Sequence, residues 1–207
     1  FARNIESAKQ VKHLNQMMQS RAKLPLFISL DHEGGMVRRV LEHIHYLPGA
    51  MALAATNTDI SNDVYLTNVG LKNLGFNINH APVADVNNNP LNPVINSRSY
   101  SDDPKIVSKY VTYAALAMQR AGMLPTVKHF PGHGDTSVDS HFALPVVNHD
   151  LERLKNFELV PFENAIENDA DAVMVAHILL KKIDPNFPSS LSKAVITDLL
   201  RYDLRFN

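Results

Sequence analysis

The chain has 207 residues, 45% hydrophobic and 20% charged, the composition of a globular domain with enough apolar residues for a sizeable core. Its 20 basic and 21 acidic side chains nearly cancel, which argues against a nucleic-acid or acidic-membrane partner. The absence of cysteine excludes disulfides, thiolate catalysis and thiolate metal sites. The longest apolar runs are far too short to span a bilayer. Because the chain starts at Phe1 rather than at a methionine, the sequence leaves the cellular compartment undetermined.

Helical and strand-like segments alternate along the chain, as judged from the spacing of apolar residues. In chain order, the sequence predicts a helix over 5–21, a strand over 25–30, a helix over 59–74, a strand over 76–83, a helix over 103–121, a strand over 123–128, a helix over 150–168, a strand over 172–176 and a helix over 192–202. Pro161 is expected to kink or divide the helix that contains it. This alternation predicts parallel strands joined by right-handed crossovers.

Two architectures fit this order, a (β/α)8 barrel and an open doubly wound sheet. No glycine-rich phosphate loop follows a strand, which weakens the second. In a barrel, catalytic groups lie at the carboxyl ends of several strands, and four predicted strands end at ionisable groups: Asp31, Asp85, Lys128-His129 and His177. The sequence therefore favours an α/β fold of the (β/α)8 TIM-barrel type. Because a complete barrel takes about 250 residues, residues 1–207 are expected to form one incomplete barrel domain that lacks its first strand and its last units.

The segment 128–141 concentrates ionisable residues and reads Lys-His-Phe-Pro-Gly-His-Gly-Asp-Thr-Ser-Val-Asp-Ser-His. Packing alone does not account for three histidines, two aspartates and a lysine in one loop. Asp139 stands two residues before His141, a spacing at which the carboxylate can accept one ring N–H and leave the other nitrogen for proton transfer. The sequence therefore predicts a general acid/base pair formed by Asp139 and His141.

Candidate ligand-binding side chains flank this loop in the predicted barrel. Asp31 and Arg39 carry groups that bind vicinal hydroxyls well, and the alternative is an internal ion pair between them. Arg98 is a further donor to a ligand or a loop-packing residue. Lys128 lies at the end of its strand. This position favours a role in donating hydrogen bonds to ligand oxygens over one in which the side chain only reaches out to solvent.

These segments resemble those of glycoside hydrolase family 3 enzymes of the β-N-acetylhexosaminidase type. The resemblance covers essentially the whole chain, and it is carried by 128–141, by Asp-His-Glu-Gly-Gly at 31–35, by Asn-Ser-Arg-Ser-Tyr at 96–100 and by Val-Met-Val-Ala-His at 173–177. It implies a (β/α)8 barrel, sometimes followed by a second α/β domain. It also implies removal of terminal β-N-acetylglucosamine from peptidoglycan-derived muropeptides or chitooligosaccharides, with retention and without a metal or organic cofactor.

The resemblance further implies roles for single residues. His141 matches the family's acid/base and Asp139 its partner, and the ligands of the sugar hydroxyls match Asp31, Arg39, Arg98, Lys128 and His129. The family's nucleophile is an aspartate after a strand that follows a segment like 199–207. It is therefore expected beyond Asn207, and the 207-residue polypeptide is expected to be inactive alone. Asp85, Asp171 and Asp203 do not match that position.

Other functions stay open at this point. A metal-dependent barrel hydrolase would draw on the ligand spacings of His-Ile-His at 43–45, of Asp139 with His141, or of His129 with His133. A non-catalytic sugar-binding domain would need no nucleophile. A phosphorylase with the same histidine acid/base would use phosphate as acceptor. The natural aglycone and the oligomeric state are not determined by the sequence.

Overall fold

The computed structural model describes residues 2–139 and 142–207, so the predicted acid/base His141 lies outside the described residues. The helices are α1 (Ala8–Arg21), α2 (Ala50–Ala55), α3 (Ser61–Asn73), α4 (Pro104–Arg120), α5 (Leu151–Asn156) and α6 (Val160–Glu167), with a π-helix at Ala194–Asp203 and 3-10 turns at Ala2–Asn4, Asn96–Arg98 and Ser189–Leu191. The strands are β1 (Ser29–Leu30), β2 (Ile78–Asn79), β3 (Leu124–Phe130), β4 (Val146–Val147), β5 (Ala172–Val175) and β6 (Leu179–Leu180). None of the helices described is both long enough and apolar enough to cross a bilayer.

Four of these strands form one parallel sheet in the order β1-β2-β3-β5, and β4 pairs with β6 in a second, two-stranded parallel sheet. The register pairs Ser29 with Ile78 and Thr126 with Ala172. Helices connect successive strands of the main sheet, as in right-handed β-α-β units. The predicted α/β fold of the TIM-barrel type is thereby confirmed. Helix α2 and the β4–β6 pair were not predicted.

The first two strands are shorter than the sequence predicts. Of the stretch 25–30, two residues pair regularly, because the side chain of Asn77 accepts a hydrogen bond from the backbone N–H of Ile28 at 2.7 Å and takes the place of a ladder bond. The stretch 76–83 pairs regularly at β2 alone. It contains Pro82, which has no N–H to donate to a ladder.

Three helices, α1, α4 and α5, begin at a residue whose side chain caps the first turn. The Asp103 carboxylate accepts a hydrogen bond from the N–H of Lys105 at 2.8 Å, and Pro104 occupies the first turn of α4. The predicted helix over 150–168 is divided into α5 and α6, as expected. Pro161 lies in the first turn of α6, where its missing N–H would have had no helical partner anyway.

The core lies between β3 and the helices α4 and α6. Val127 and Phe130 of β3 are fully buried, and the Phe130 ring meets Phe162 of α6 edge to face, with 5.4 Å between ring centroids. Aromatic pairs in this geometry contribute about 1 kcal/mol beyond area burial. The packed helices therefore fix β3, and with it the polar residues at the carboxyl end of this strand.

Candidate active site

Polar side chains meet at the carboxyl ends of β1, β2 and β3. Asp31 directly follows β1. Beyond β2, the chain returns to β3 through a bridge between Val83 and Lys128, with the N–H of Ala84 donating to the Lys128 carbonyl at 2.6 Å. This pairing brings Asp85 beside His129. Three neighbouring strands thus deliver carboxylates and basic groups to one edge of the sheet, the edge where barrel enzymes carry their active sites.

Lys128 is buried and is held by two carboxylates. Its ammonium donates to Asp31 Oδ1 at 2.8 Å and lies 2.6 Å from Glu33 Oε1. Burial acts to raise the pKa of Asp31, but the charge and hydrogen bond of Lys128 outweigh it, so this pKa lies below its usual value. The Asp31 side chain is 41% exposed whereas that of Lys128 is 2% exposed. The pair therefore presents an ionised carboxylate to the solvent.

Arg98 binds the second of these carboxylates in bidentate fashion. Its Nε donates to Glu33 Oε2 at 2.9 Å and its Nη2 to Glu33 Oε1 at 2.8 Å. Burial acts to raise the pKa of Glu33, but the Arg98 hydrogen bonds and the charges of Arg98 and Lys128 lower it below its usual value. The sequence prediction missed Glu33. The strand period signals it, because residues two apart in an extended chain point to the same side and Glu33 follows Asp31 by two.

Asp85 is fully buried and accepts hydrogen bonds from the β3 edge. Its Oδ2 accepts from His129 Nδ1 at 2.6 Å, and its Oδ1 accepts from the backbone N–H groups of His129 at 3.2 Å and His133 at 2.6 Å. Burial acts to raise the pKa of Asp85, but the His129 charge and hydrogen bond hold it below its usual value. While its Nδ1–H donates to Asp85, His129 directs Nε2 toward Arg98 Nη2, 3.5 Å away.

Arg39 lies near Asp31, beside a cavity that both residues line. Asp31, Arg39 and His80 line a cavity of about 630 Å³ that runs along α1 and β1. Among the described residues, Asp31 forms its salt bridge with Lys128 and not with Arg39, so the alternative of an internal Asp31–Arg39 ion pair is wrong. The exposed Arg39 guanidinium and the Asp31 carboxylate both face this cavity.

The fourth ionisable strand end differs from the other three. His177 follows β5 but is exposed, and its Nδ1 lies 2.5 Å from Ser190 Oγ. His177 takes no part in the hydrogen bonds and ion pairs described above at the ends of β1, β2 and β3. The strand-end site thus consists of Asp31, Glu33, Asp85, Arg98, Lys128 and His129, with Arg39 at its margin.

The loop after β3 is tied to the preceding loop by an asparagine. Asn92 is buried, and its Nδ2 donates to the carbonyl oxygens of His133 at 2.8 Å and Gly134 at 2.9 Å. A Cβ at Gly134 would stand 1.6 Å from the Val86 carbonyl oxygen, so the two backbones are in direct contact. Further along, the Asp139 carbonyl accepts from the N–H of Phe142 at 3.0 Å. The structure therefore describes one member of the predicted acid/base pair.

A His-carboxylate cluster lies at the outer side of this loop. Ligand atoms of Asp135, His149 and Glu158 lie within 4.8 Å of one another, and such oxygen and nitrogen groups are ligands that Zn²⁺ accepts. His149 Nε2 is 2.6 Å from Asp135 Oδ2, and Arg153 binds Glu158 through Nη2 at 2.9 Å and Nε at 3.3 Å. The arrangement is thus a connected ion-pair network in which each carboxylate has a partner within the chain.

Three of the histidines considered as metal ligands have hydrogen-bonding partners of their own. His45 Nε2 is 2.9 Å from Asp63 Oδ1, and His133 Nδ1 is 2.6 Å from Thr136 Oγ1. His129 binds Asp85, as described above. These three rings are therefore engaged by hydrogen bonds within the chain.

Comparisons with known proteins agree with this architecture. Residues 1–207 match the glycosyl hydrolase family 3 N terminal domain. Beta-hexosaminidase A of Pseudoalteromonas piscicida is 39% identical over 230 residues, which cover all of this chain and 38% of that protein. A family 3 beta-N-acetylglucosaminidase from Paenibacillus sp. superposes with a TM-score of 0.96 at 45% identity, over all of this chain and 40% of that one.

A third relative was solved with a sugar derivative. NagZ from Neisseria gonorrhoeae, in complex with N-trifluoroacetyl-D-glucosamine, gives a TM-score of 0.93 at 30% identity, over all of this chain and 63% of that one. The present chain thus spans less than two thirds of the length of each of these relatives. The resemblance found in the sequence is confirmed along its whole length: the chain belongs to the glycosyl hydrolase family 3 N-terminal domain family.

Proposed function

We propose that the protein is a retaining exo-β-N-acetylglucosaminidase that acts on peptidoglycan fragments or chitooligosaccharides. One observation carries the proposal: paired cations and carboxylates, Lys128 with Asp31 and Arg98 with Glu33, converge at the carboxyl ends of parallel strands in a glycosyl hydrolase family 3 domain. The names of the relatives, beta-hexosaminidase and beta-N-acetylglucosaminidase, support the choice of sugar.

The strand-end site is suited to sugar hydroxyl groups. A hydroxyl both donates and accepts a hydrogen bond, so it fits a carboxylate acceptor next to a cationic donor. Asp31 supplies the acceptor, and Lys128 and Arg39 supply donors on its two sides. His129 Nε2, opposite the Asp85 bond, is a second acceptor beside Arg98. In the proposal these residues bind the terminal sugar.

The proposed chemistry assigns proton transfer to His141 and Asp139. The His141 imidazolium gives its proton to the glycosidic oxygen while the C1–O bond breaks and a nucleophilic carboxylate bonds to C1. Neutral His141 then takes a proton from the water that attacks C1, and the carboxylate leaves. Asp139 accepts the other ring N–H throughout. Most glycosidases use two carboxylates, whereas a histidine is neutral after donating and does not repel the nucleophile.

Carboxylates near the strands have other partners. Asp85 is buried and occupied by His129. Asp171 precedes β5, at the amino end of that strand, and accepts a hydrogen bond there. Asp203, the last residue of the π-helix, pairs with Lys155 of α5 at 3.0 Å. None of them matches the family's nucleophile, which the resemblance implies lies beyond Asn207.

The test is an assay of the natural polypeptide that contains these residues. We expect hydrolysis of 4-nitrophenyl β-N-acetylglucosaminide and little hydrolysis of the matching β-glucoside, with the β-anomer of the sugar appearing first in proton NMR spectra. His141→Ala should lower kcat by roughly 10²- to 10⁴-fold, the usual contribution of general acid/base catalysis. His13→Ala, at an exposed position on α1, is the matched control and should leave kcat unchanged.

Other outcomes would contradict the proposal in distinct ways. Binding of N-acetylglucosamine without turnover would indicate a sugar-binding domain. Loss of activity with a chelator, and recovery with a divalent metal, would indicate a metal-dependent hydrolase. Formation of the sugar 1-phosphate in phosphate buffer would indicate a phosphorylase.

A further inference from the structure

We propose that His149 is a positioning residue for the loop after β3: through Asp135 it fixes the loop segment that carries Asp139. This inference rests on the proposed function, because the segment matters for catalysis only if Asp139 and His141 transfer the proton. His149 itself does not touch the strand-end site in the contacts described above. It lies in the connection between β4 and α5, and it reaches the loop from outside the sheet.

The contact is short and joins two side chains from different segments. His149 Nε2 lies 2.6 Å from Asp135 Oδ2, and the two residues are 14 positions apart in the chain. Asp135 precedes Asp139 by four residues. A constraint on Asp135 is therefore a constraint on the start of the segment that holds the predicted acid/base pair.

A second carboxylate lies near the same ring nitrogen. Glu158 is buried with 4% of its surface exposed, and its Oε1 lies 3.8 Å from His149 Nε2. Arg153 binds both oxygens of Glu158. Glu158 also packs against the loop, because a Cβ at Gly132 would stand 2.9 Å from the Glu158 Cβ. A buried carboxylate that contacts the loop therefore also lies near the His149 ring.

The same loop is also held by Asn92, whose side-chain amide binds the carbonyl oxygens of His133 and Gly134. The stretch 133–136 therefore has two independent contacts, one from the Asn92 amide to its backbone and one from His149 to the Asp135 side chain. The side chains of His149 and Asp135 are 27% and 32% exposed, respectively. The Asp135–His149 contact can therefore be removed by substitution without opening a cavity in the core.

Misplacement of a general acid has a known kinetic signature. The acid must reach the leaving oxygen within about 2.6–3.2 Å, and a displacement of about 1 Å can reduce the rate roughly 10²-fold. The loss is largest for leaving groups that need a proton, such as phenol, and smallest for 4-nitrophenolate, which leaves as a stable anion. A merely structural role would lower the rates with both substrates equally.

The experiment compares these two leaving groups in the natural polypeptide. For His149→Phe we expect kcat/KM to fall about 10- to 100-fold on phenyl β-N-acetylglucosaminide and less than about 3-fold on the 4-nitrophenyl substrate. Asp135→Asn should behave similarly, and combining the two should add little further loss. His149→Gln, which keeps an N–H donor, should recover part of the activity.

The matched control is another histidine–aspartate pair. His45 and Asp63 are 2.9 Å apart, with side chains 39% and 47% exposed, and they lie away from the loop after β3. His45→Phe should leave both rates unchanged. If His149→Phe and His45→Phe affect the two substrates alike, or if His149→Phe lowers both substrates by the same factor, the positioning role is wrong.

A second readout does not depend on turnover. Amide hydrogen exchange of peptides covering 133–139 should speed up in His149→Phe and stay unchanged in His45→Phe. If the natural polypeptide shows no glycosidase activity, the proposed function fails, while this exchange measurement still decides whether the contact restrains the loop. Unchanged exchange would overturn the inference. So would zinc binding that His149→Phe abolishes, combined with a wild-type protein that loses activity when treated with chelator.

Discussion

The strand-end site and the Asp135–His149 pair use the same chemical groups at different depths. Lys128 and Asp85 are buried, and their partners come from the ends of neighbouring strands. Asp135 and His149 are about a third exposed and come from two loops. Buried pairs cannot exchange a lost partner for water, whereas exposed pairs can. In the proposed function, the buried pairs on the strands bind the sugar and the exposed pair supports proton transfer on a loop.

The largest expected effect is that of removing the central cation. Lys128→Met keeps the length of the side chain but leaves the Glu33 carboxylate buried with one cation fewer. We expect the free energy of unfolding at pH 7 to fall by about 3–5 kcal/mol, as for other broken buried pairs. Urea titration measures this. A loss below about 1 kcal/mol would show that water replaces the ammonium, and the contrast between buried and exposed pairs would disappear.

Acid should lower the stability of the fold through a buried histidine next to Asp31. His32 is 1% exposed, and neither ring nitrogen has a partner among the described residues. Burial, with the charges of Arg38 and Arg39, lowers the pKa of His32 from 6.5 to about 4. The unfolded chain therefore takes up this proton near pH 6.5 and the folded chain only near pH 4. Stability should decrease as the pH falls through this window, by about 3 kcal/mol in total.

The substitution His32→Leu should remove most of that acid loss, because the side chain then has no proton to gain. The measurement is the difference between the free energies of unfolding at pH 7 and pH 4.5. His13→Leu, at an exposed position of α1, is the control and should retain the full pH dependence. Equal pH dependence in the His32 variant and the wild type would contradict the assignment.

A smaller effect is expected at the buried aspartate. Asp85→Asn keeps the shape but turns one acceptor oxygen into a donor that faces an N–H group of His129 or His133. We expect a loss of about 2 kcal/mol at pH 7, since hydrogen bonds to charged groups contribute about this much. Because folding lowers the pKa of Asp85, the wild type has this contribution in full at any pH above the ordinary aspartate pKa of 3.8. It loses the contribution only as the pH falls through the lowered pKa of the folded state.

Nitrogen NMR of the His129 ring gives an independent reading of the same variant. In the wild type the proton should sit on Nδ1, because this atom donates to Asp85. In Asp85→Asn we expect a mixture of tautomers. An unchanged Nδ1–H form would mean that another group, rather than Asp85, sets the orientation of the ring.

The smallest effect is expected at a surface pair of matching chemistry. Lys155 and Asp203 are 3.0 Å apart, with side chains 45% and 46% exposed. Lys155→Met is therefore the exposed counterpart of Lys128→Met, and we expect a loss below about 1 kcal/mol. Urea titration under the same conditions compares the two. Equal losses would refute the idea that depth separates the two kinds of pair.

The sequence predicted the helices well because their signals are local. Asp103 and Pro104 mark the start of α4, and Gly75 and Gly122 follow α3 and α4 with positive φ, a conformation that favours glycine where helices end. The parallel order of strands also followed from the alternation of elements. The family resemblance, carried by short motifs, was confirmed along the whole chain.

The contacts between distant segments were not predictable in the same way. The side chain of Asn77 shortens β1 by competing for a backbone N–H, which no local pattern reveals. The ion pair between Asp31 and Lys128 was not predicted, because the two residues are far apart in sequence and near only in space. His149 and Glu158, which lie before and after α5, meet Asp135 only in the folded chain. Such partners depend on tertiary packing, which a single sequence does not display.

The direct contact between Gly134 and Val86 has a consequence for the evolution of this protein. No amino acid with a side chain fits there unless the two loops separate. A library of all substitutions at Gly134 should therefore yield no folded variant, even though Gly134 does not have a positive φ. Val138, four residues later and exposed, should accept many substitutions. The boundary between permitted and forbidden change would then run through the middle of one loop.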